Sequence, residues 1–341
     1  MKAAYYEGNR RIKVRDGEAI APGPGEVRLD VAYAGVCGTD LHILGGHMDE
    51  RVSVPHVMGH EMSGVVAEVG PDVKEWHVGD RVVVRPLDPC NNCPACRAGH
   101  FHICHTLKVI GVDSPGAFQN SCTVPAHTLH KLPDGVDLDR GALIEPLSVA
   151  CHDVRLGEVN TGDYAVIIGG GPIGTLIALV ARSVGARVLL SEINPFRIEF
   201  ARDLGLEVVD PTKADLKSLV EGQTGGAGAD VVFEVSASAE GASVVTELAR
   251  TRGRIVIVGI FSEVPRVDLF RVFLRELRLC GARVYEREDF EKAINLAQEG
   301  SLPIDRLITS VRPLAELPDV LLELTSGANS MKALIKMEKR R

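Results

Sequence analysis

Between Tyr164 and Glu192 the chain runs strand, glycine-rich turn, helix and second strand, an order that few folds accommodate. Tyr164-Ala165-Val166-Ile167-Ile168 is an apolar run of strand length, as a strand buried on both faces reads. Gly169-Gly170-Gly171-Pro172-Ile173-Gly174 follows, then an apolar helical stretch through Val184, then Arg187-Val188-Leu189-Leu190-Ser191-Glu192. Tyr164 to Ala181 is uncharged and long enough to raise a membrane span, but the glycines and Pro172 break it into strand, turn and helix. A lone G-x-G-x-x-G carries little weight. Here it closes a strand, opens a helix and is answered by an acid at the end of the next strand, the context a dinucleotide site requires.

Gly169 opens that turn, Gly171 lets the backbone approach a pyrophosphate at the helix N-terminus, and Gly174 lets the helix pack on the sheet, with Pro172 and Ile173 in the first helical turn. Glu192 can accept from both adenosine ribose hydroxyls and repels a 2′-phosphate, so NAD is expected over NADP. Arg197 either softens that preference or is a solvated helix charge. Strands near Val208, Asp230–Val235, Arg254–Gly259 and Leu277–Val284 alternate with helical stretches, which predicts a doubly wound parallel sheet of the α/β class. Backbone groups near Ser236, Val258 and Ile260 are expected on the nicotinamide side.

Ahead of this region the chain is β-rich, and it holds two clusters of metal-ligand residues. One is dispersed: Cys37-Gly38-Thr39-Asp40-Leu41-His42, then Gly59-His60-Glu61, then Glu145 in Leu143-Ile144-Glu145-Pro146. Thiolate, imidazole and carboxylate are zinc ligands, and a catalytic zinc keeps one place open. Glu61 and Glu145 compete for the third place. Asp40 is suited to orient the histidine ligand, and Thr39 with His42 to pass a proton to solvent. Thr39 and Asp40 also suit a helix N-cap. The other cluster is compact. Cys90-x2-Cys93-x2-Cys96-x7-Cys104 has the form of a closed four-cysteine zinc site, which braces a loop and leaves no vacancy for chemistry. An iron–sulfur cluster is the less favoured occupant. Cys122, Cys151 and Cys280 are left as buried free thiols, and His47, His56 and His77 as ordinary surface or loop histidines.

These residues together resemble the zinc-dependent medium-chain dehydrogenase family. Its Gly-His-Glu-x2-Gly-x5-Gly-x2-Val signature is matched by Gly59, His60, Glu61, Gly64, Gly70 and Val73. The resemblance implies a β-rich GroES-like catalytic domain over 1–150 and 289–341, and a Rossmann NAD-binding domain over 151–288. It implies two zinc ions per subunit, one catalytic at Cys37 and His60 with Glu61 or Glu145, one structural at the four cysteines. With a glutamate at 145 where liver-type alcohol dehydrogenases carry cysteine, the chain sides with the polyol and threonine branch. Hydride transfer from a secondary alcohol to NAD is the implied reaction, its proton leaving through Thr39, the nicotinamide ribose and His42. A homotetramer or homodimer is implied as well.

A net charge of −8 argues against nucleic acid or an anionic membrane as partner. Cysteines crowded at metal-ligand spacing, with no apolar leader at the N-terminus, point to a reducing cytoplasm. The branch, together with only 4% aromatic residues, favours a polyol or sugar acid over a greasy alcohol. L-Threonine and 2,3-butanediol are the alternatives. Arg283 is a candidate for a substrate carboxylate, or else a solvated or interface charge. A zinc-free reductase would lack Cys37, His60 and the cysteine lobe, and a non-catalytic nucleotide-binding protein would have no use for an open zinc site.

Overall fold

The computed structural model describes residues 1–338. The chain divides into two compact units, Met1–Glu145 with Phe290–Arg341, and Pro146–Asp289. Among the described residues no helix is long and apolar enough to cross a membrane.

In the unit Pro146–Asp289 six strands form one sheet in which every neighbouring pair is parallel. From edge to edge they are Glu207–Val209, Arg187–Ser191, Tyr164–Ile168, Ala229–Glu234, Ala249–Ile257 and Arg278–Gly281. The strand order reverses beside Tyr164–Ile168, and the crevice beyond the carboxyl end of that strand is where such sheets bind dinucleotides. Val166, Ile168, Leu189, Val232 and Ile255 fill the core with the helices packed on it. The last strand is shorter than the Leu277–Val284 run predicts. Val284 adopts φ +48°, a left-handed conformation that no extended strand sustains.

The unit Met1–Glu145 with Phe290–Arg341 is built on the strand Glu26–Gly35. Its alternation buries Val27, Leu29 and Val31 and turns Arg28 and Asp30 away from the core. It pairs antiparallel with Glu61–Val69, Ser121–Pro125 and Lys332–Lys336, and the last of these pairs in parallel with Ile308–Pro313. Leu29, Met62, Val66, Phe118 and Ile335 join its core. Cys122 and Cys151 are buried and Cys280 is half-buried. His56 departs from expectation. It lies buried in the strand His56–Val57, and burial lowers its pKa.

Candidate active site

Three adjacent strands assemble the first group of side chains. Gly35 pairs in register with Glu61 on one side and with Leu334 on the other. A Cβ on Gly35 would fall 1.9 Å from Glu61 Oε2, so only glycine leaves the carboxylate its place. There Glu61 meets Lys332, whose Nζ donates to Oε1 at 2.7 Å, to Oε2 at 2.8 Å and to the Val36 carbonyl at 3.1 Å. The two side chains are 1% and 3% exposed. Burial opposes the Lys332 charge, yet Glu61, Cys37 and Glu145 hold its pKa above the ordinary range. Sequence reasoning missed Lys332, because 271 residues separate it from Glu61. The one available signal was a lysine at the start of an otherwise apolar strand, where a buried charge needs a partner.

Cys37, His60 and Glu61 each place a ligand atom within 4.8 Å of the others. Cys37 is the N-cap of the helix Gly38–Leu44, and Asp40 Oδ2 accepts its backbone N–H at 2.9 Å. The helix cap therefore falls on Cys37, with Asp40 at the third helical position, rather than on Thr39 and Asp40. Thr39 Oγ1 lies 3.9 Å from Cys37 Sγ. His60 Nδ1 and the remaining oxygen of fully buried Asp40 both lack a hydrogen-bond partner. Burial works against an imidazolium at His60, but Cys37, Asp40 and Glu145 raise its pKa well above the usual range. The pocket thus favours positive charge among its donors, and a thiol, an imidazole and a carboxylate are the donor set zinc takes. Glu145 stands in the first turn of the helix Ile144–Leu156, buried, and acts on both His60 and Lys332. It lies outside the group whose ligand atoms converge.

His42 is exposed in the same helix, with Nδ1 3.3 Å from Nδ1 of exposed His47. One ring must donate and the other accept. His47 is a surface histidine, as expected, and the contact with His42 is what the sequence did not report.

Cys90, Cys93, Cys96 and Cys104 converge as the second group. Their Sγ atoms lie 3.5 Å apart for Cys93 and Cys96, 3.8 Å for Cys93 and Cys104, and 3.4 Å for Cys90 and Cys104. Backbone N–H groups point at the sulfurs, from Cys93 to Cys90 at 3.3 Å and from His105 to Cys93 at 3.4 Å. Such donors, the Asn92 N–H first, hold the Cys90 thiol down at about 6. Burial pushes the Cys96 thiol the other way, up to about 12, so it is the four converging sulfurs and the N–H groups aimed at them that fit a structural zinc.

In the other unit Gly171 caps the helix Pro172–Ser183 with no side chain over its N-terminus, so the first-turn amides are free for an anion. A Cβ on Gly174 would lie 1.8 Å from the Gly169 carbonyl, which only glycine permits. Glu192 is buried at the end of its strand and accepts N–H groups from Gly170 at 2.7 Å, Ile193 at 2.7 Å and Asn194 at 2.9 Å. Arg197 Nη1 is 3.8 Å from Glu192 Oε2. Val258 donates its N–H to the Glu234 carbonyl at 2.8 Å, and Ile260 is exposed. Arg283 is exposed.

Comparison with known proteins agrees with this geometry. Residues 23–134 match the alcohol dehydrogenase GroES-like domain and residues 172–299 the zinc-binding dehydrogenase domain. The chain is 55% identical to 2-dehydro-3-deoxy-L-galactonate 5-dehydrogenase from Pseudoalteromonas atlantica, over 98% of each chain. It is 33% identical to L-galactonate-5-dehydrogenase from Escherichia coli, over 94% of each. A zinc-binding dehydrogenase structure from Sinorhizobium meliloti, bound to NADP, superposes with a TM-score of 0.92 at 33% identity, over 98% of each chain. The chain belongs to the zinc-dependent medium-chain dehydrogenase family and is an alcohol-oxidising enzyme that works with zinc and a nicotinamide dinucleotide.

Proposed function

We propose that the enzyme oxidises a secondary hydroxyl of a sugar acid to a ketone, with NAD as hydride acceptor. The likeness to 2-dehydro-3-deoxy-L-galactonate 5-dehydrogenase carries the substrate class, and the C5 hydroxyl of a 2-oxo-3-deoxy sugar acid is the first candidate. The unit Met1–Glu145 with Phe290–Arg341 is the catalytic domain in this reading, and Pro146–Asp289 the NAD-binding domain.

Cys37 and His60 hold the catalytic zinc, with either Glu61 or Glu145 as the acid in the third place, and Cys90, Cys93, Cys96 and Cys104 hold the structural one. Bound there, the metal polarises an alcohol oxygen and lowers its pKa. Asp40 fixes the start of the helix Gly38–Leu44, so it sets where Cys37 and Thr39 stand. The Thr39 hydroxyl accepts the alcohol proton as it gives up its own, which passes through the nicotinamide ribose to exposed His42 and so to solvent. Gly169, Gly171, Pro172, Ile173 and Gly174 cradle the pyrophosphate, Glu192 and Arg197 meet the adenosine ribose, and Val258 and Ile260 border the nicotinamide. The NADP in the Sinorhizobium protein belongs to that protein. Here buried Glu192 disfavours a 2′-phosphate.

The protein assembles as a homodimer or homotetramer in the cytoplasm. Metal-ligand thiols kept out of disulfides fit a reducing compartment. The assembly surface is the exposed helix Leu269–Leu274 beside the edge strand Arg278–Gly281.

The test is NADH formation, with NADP alongside, on 2-dehydro-3-deoxy-L-galactonate, other sugar acids, polyols, L-threonine and butanediols. The expected result is turnover of the sugar acids with NAD, abolished by a chelator and restored by zinc. Turnover confined to threonine or butanediol overturns the substrate class.

A further inference from the structure

Lys332 is a buried cation at this site whose charge the reaction does not use. Cys37, Asp40, Glu61 and Glu145 all bear on the pocket, whereas Lys332 is the cation that faces Glu61 among the described residues. Its three ammonium N–H groups are spent on Glu61 Oε1, Glu61 Oε2 and the Val36 carbonyl. Glu61 thus has both oxygens engaged although its carboxylate stands within 4.8 Å of the Cys37 and His60 ligand atoms. A zinc ion with Cys37 and Glu145 as its anionic ligands is already neutral. The charge on Glu61 is then surplus, and Lys332 cancels it.

We propose that Lys332 is a positioning residue that keeps Glu61 off the catalytic zinc, leaving the third ligand place to Glu145 and the remaining place open to substrate. This rests on the zinc reading of Cys37 and His60. Strand register makes the device possible. Gly35 lies between Glu61 and the strand that Lys332 opens, and its missing side chain lets the pair meet across the sheet. Without Lys332 a buried carboxylate would stand unpaired, which is strongly unfavourable. The zinc is the nearest cation able to take it, and ligation by Glu61 would close the open place.

The experiment compares wild type, Lys332→Met and Lys332→Met/Glu61→Gln, each loaded with zinc or cobalt(II). Zinc release to a chelator and the cobalt absorption spectrum are read alongside kcat and KM. In Lys332→Met zinc release is expected to slow by about tenfold or more as Glu61 joins the shell. Its cobalt spectrum should shift, and kcat should fall more than KM changes. The double variant leaves neither charge unpaired, so it remains informative if the single variant fails to fold. Its cobalt spectrum and zinc release are expected to match wild type. Release from Lys332→Met as fast as wild type, or a double variant whose spectrum departs from wild type, overturns the proposal while leaving the zinc enzyme standing. Wild type that binds metal only at the four cysteines would overturn both readings.

Discussion

Asp153 is a buried acid outside the chemistry. It is 1% exposed in the helix Ile144–Leu156, and its Oδ2 has no hydrogen-bond partner. Burial, and then the charge of Asp289, push its carboxyl well above the ordinary 3.8. Between those two values the folded chain keeps a proton that the unfolded chain has lost. Stability contributed by this group therefore falls as pH rises above the ordinary carboxylate range. Asp153→Asn removes the dependence. Melting curves should show a gain near pH 8, about 2–4 °C per kcal/mol recovered, and little gain near pH 4. An equal shift at both pH values, or none, contradicts the assignment. Residues such as Cys37, His60, Gly171 and Glu192 were legible because their signals are local: a spacing, a glycine, an acid after a strand. The partnership of Lys332 with Glu61 was not, because strand register and the gap at Gly35 create it. Glu145 shows the same limit, since its sequence context suggests a ligand but says nothing about how near it stands to Cys37 at rest.

At the scale of elements, the apolar run of strand length marked Tyr164–Ile168. Ends were harder to read. Side-chain pattern does not report the backbone conformation of Val284, which stops the last strand at Gly281. The helix Leu269–Leu274 buries none of its residues, and Leu269, Phe270, Phe273 and Leu274 are 65–78% exposed. The neighbouring strand Arg278–Gly281 pairs only with Ala249–Ile257 among the described residues. An apolar helix beside an unpaired edge is where a second copy of the chain would bury surface. Each phenylalanine buried there contributes about 1.5–3 kcal/mol. Phe270→Ser with Phe273→Ser should therefore weaken assembly by about a hundredfold or more, seen as a smaller particle by light scattering at micromolar concentration. A particle of unchanged size places the interface elsewhere.

At the scale of the molecule each unit holds a self-contained piece of the chemistry. In the proposed reading the metal ligands and proton-handling side chains lie in Met1–Glu145 with Phe290–Arg341, and the dinucleotide loop lies in Pro146–Asp289. The parallel sheet was legible because its strands and helices alternate in chain order. Family resemblance put the C-terminal segment with the N-terminal unit, but the pairing of Lys332–Lys336 with Glu26–Gly35 was not legible, since neither strand's pattern names a partner so distant in sequence. The central claim is that an open zinc site at Cys37 and His60 carries the oxidation, separately from the four-cysteine zinc. The most direct measurement is zinc content per chain together with NAD-linked activity, for wild type and Cys37→Ala. Two zinc ions are expected in wild type, matching the two ligand groups, and one in the variant. Activity should drop by on the order of a hundredfold or more while the fold is retained. A Cys37→Ala protein that keeps wild-type activity, or loses it while still holding both zinc ions, would contradict the claim.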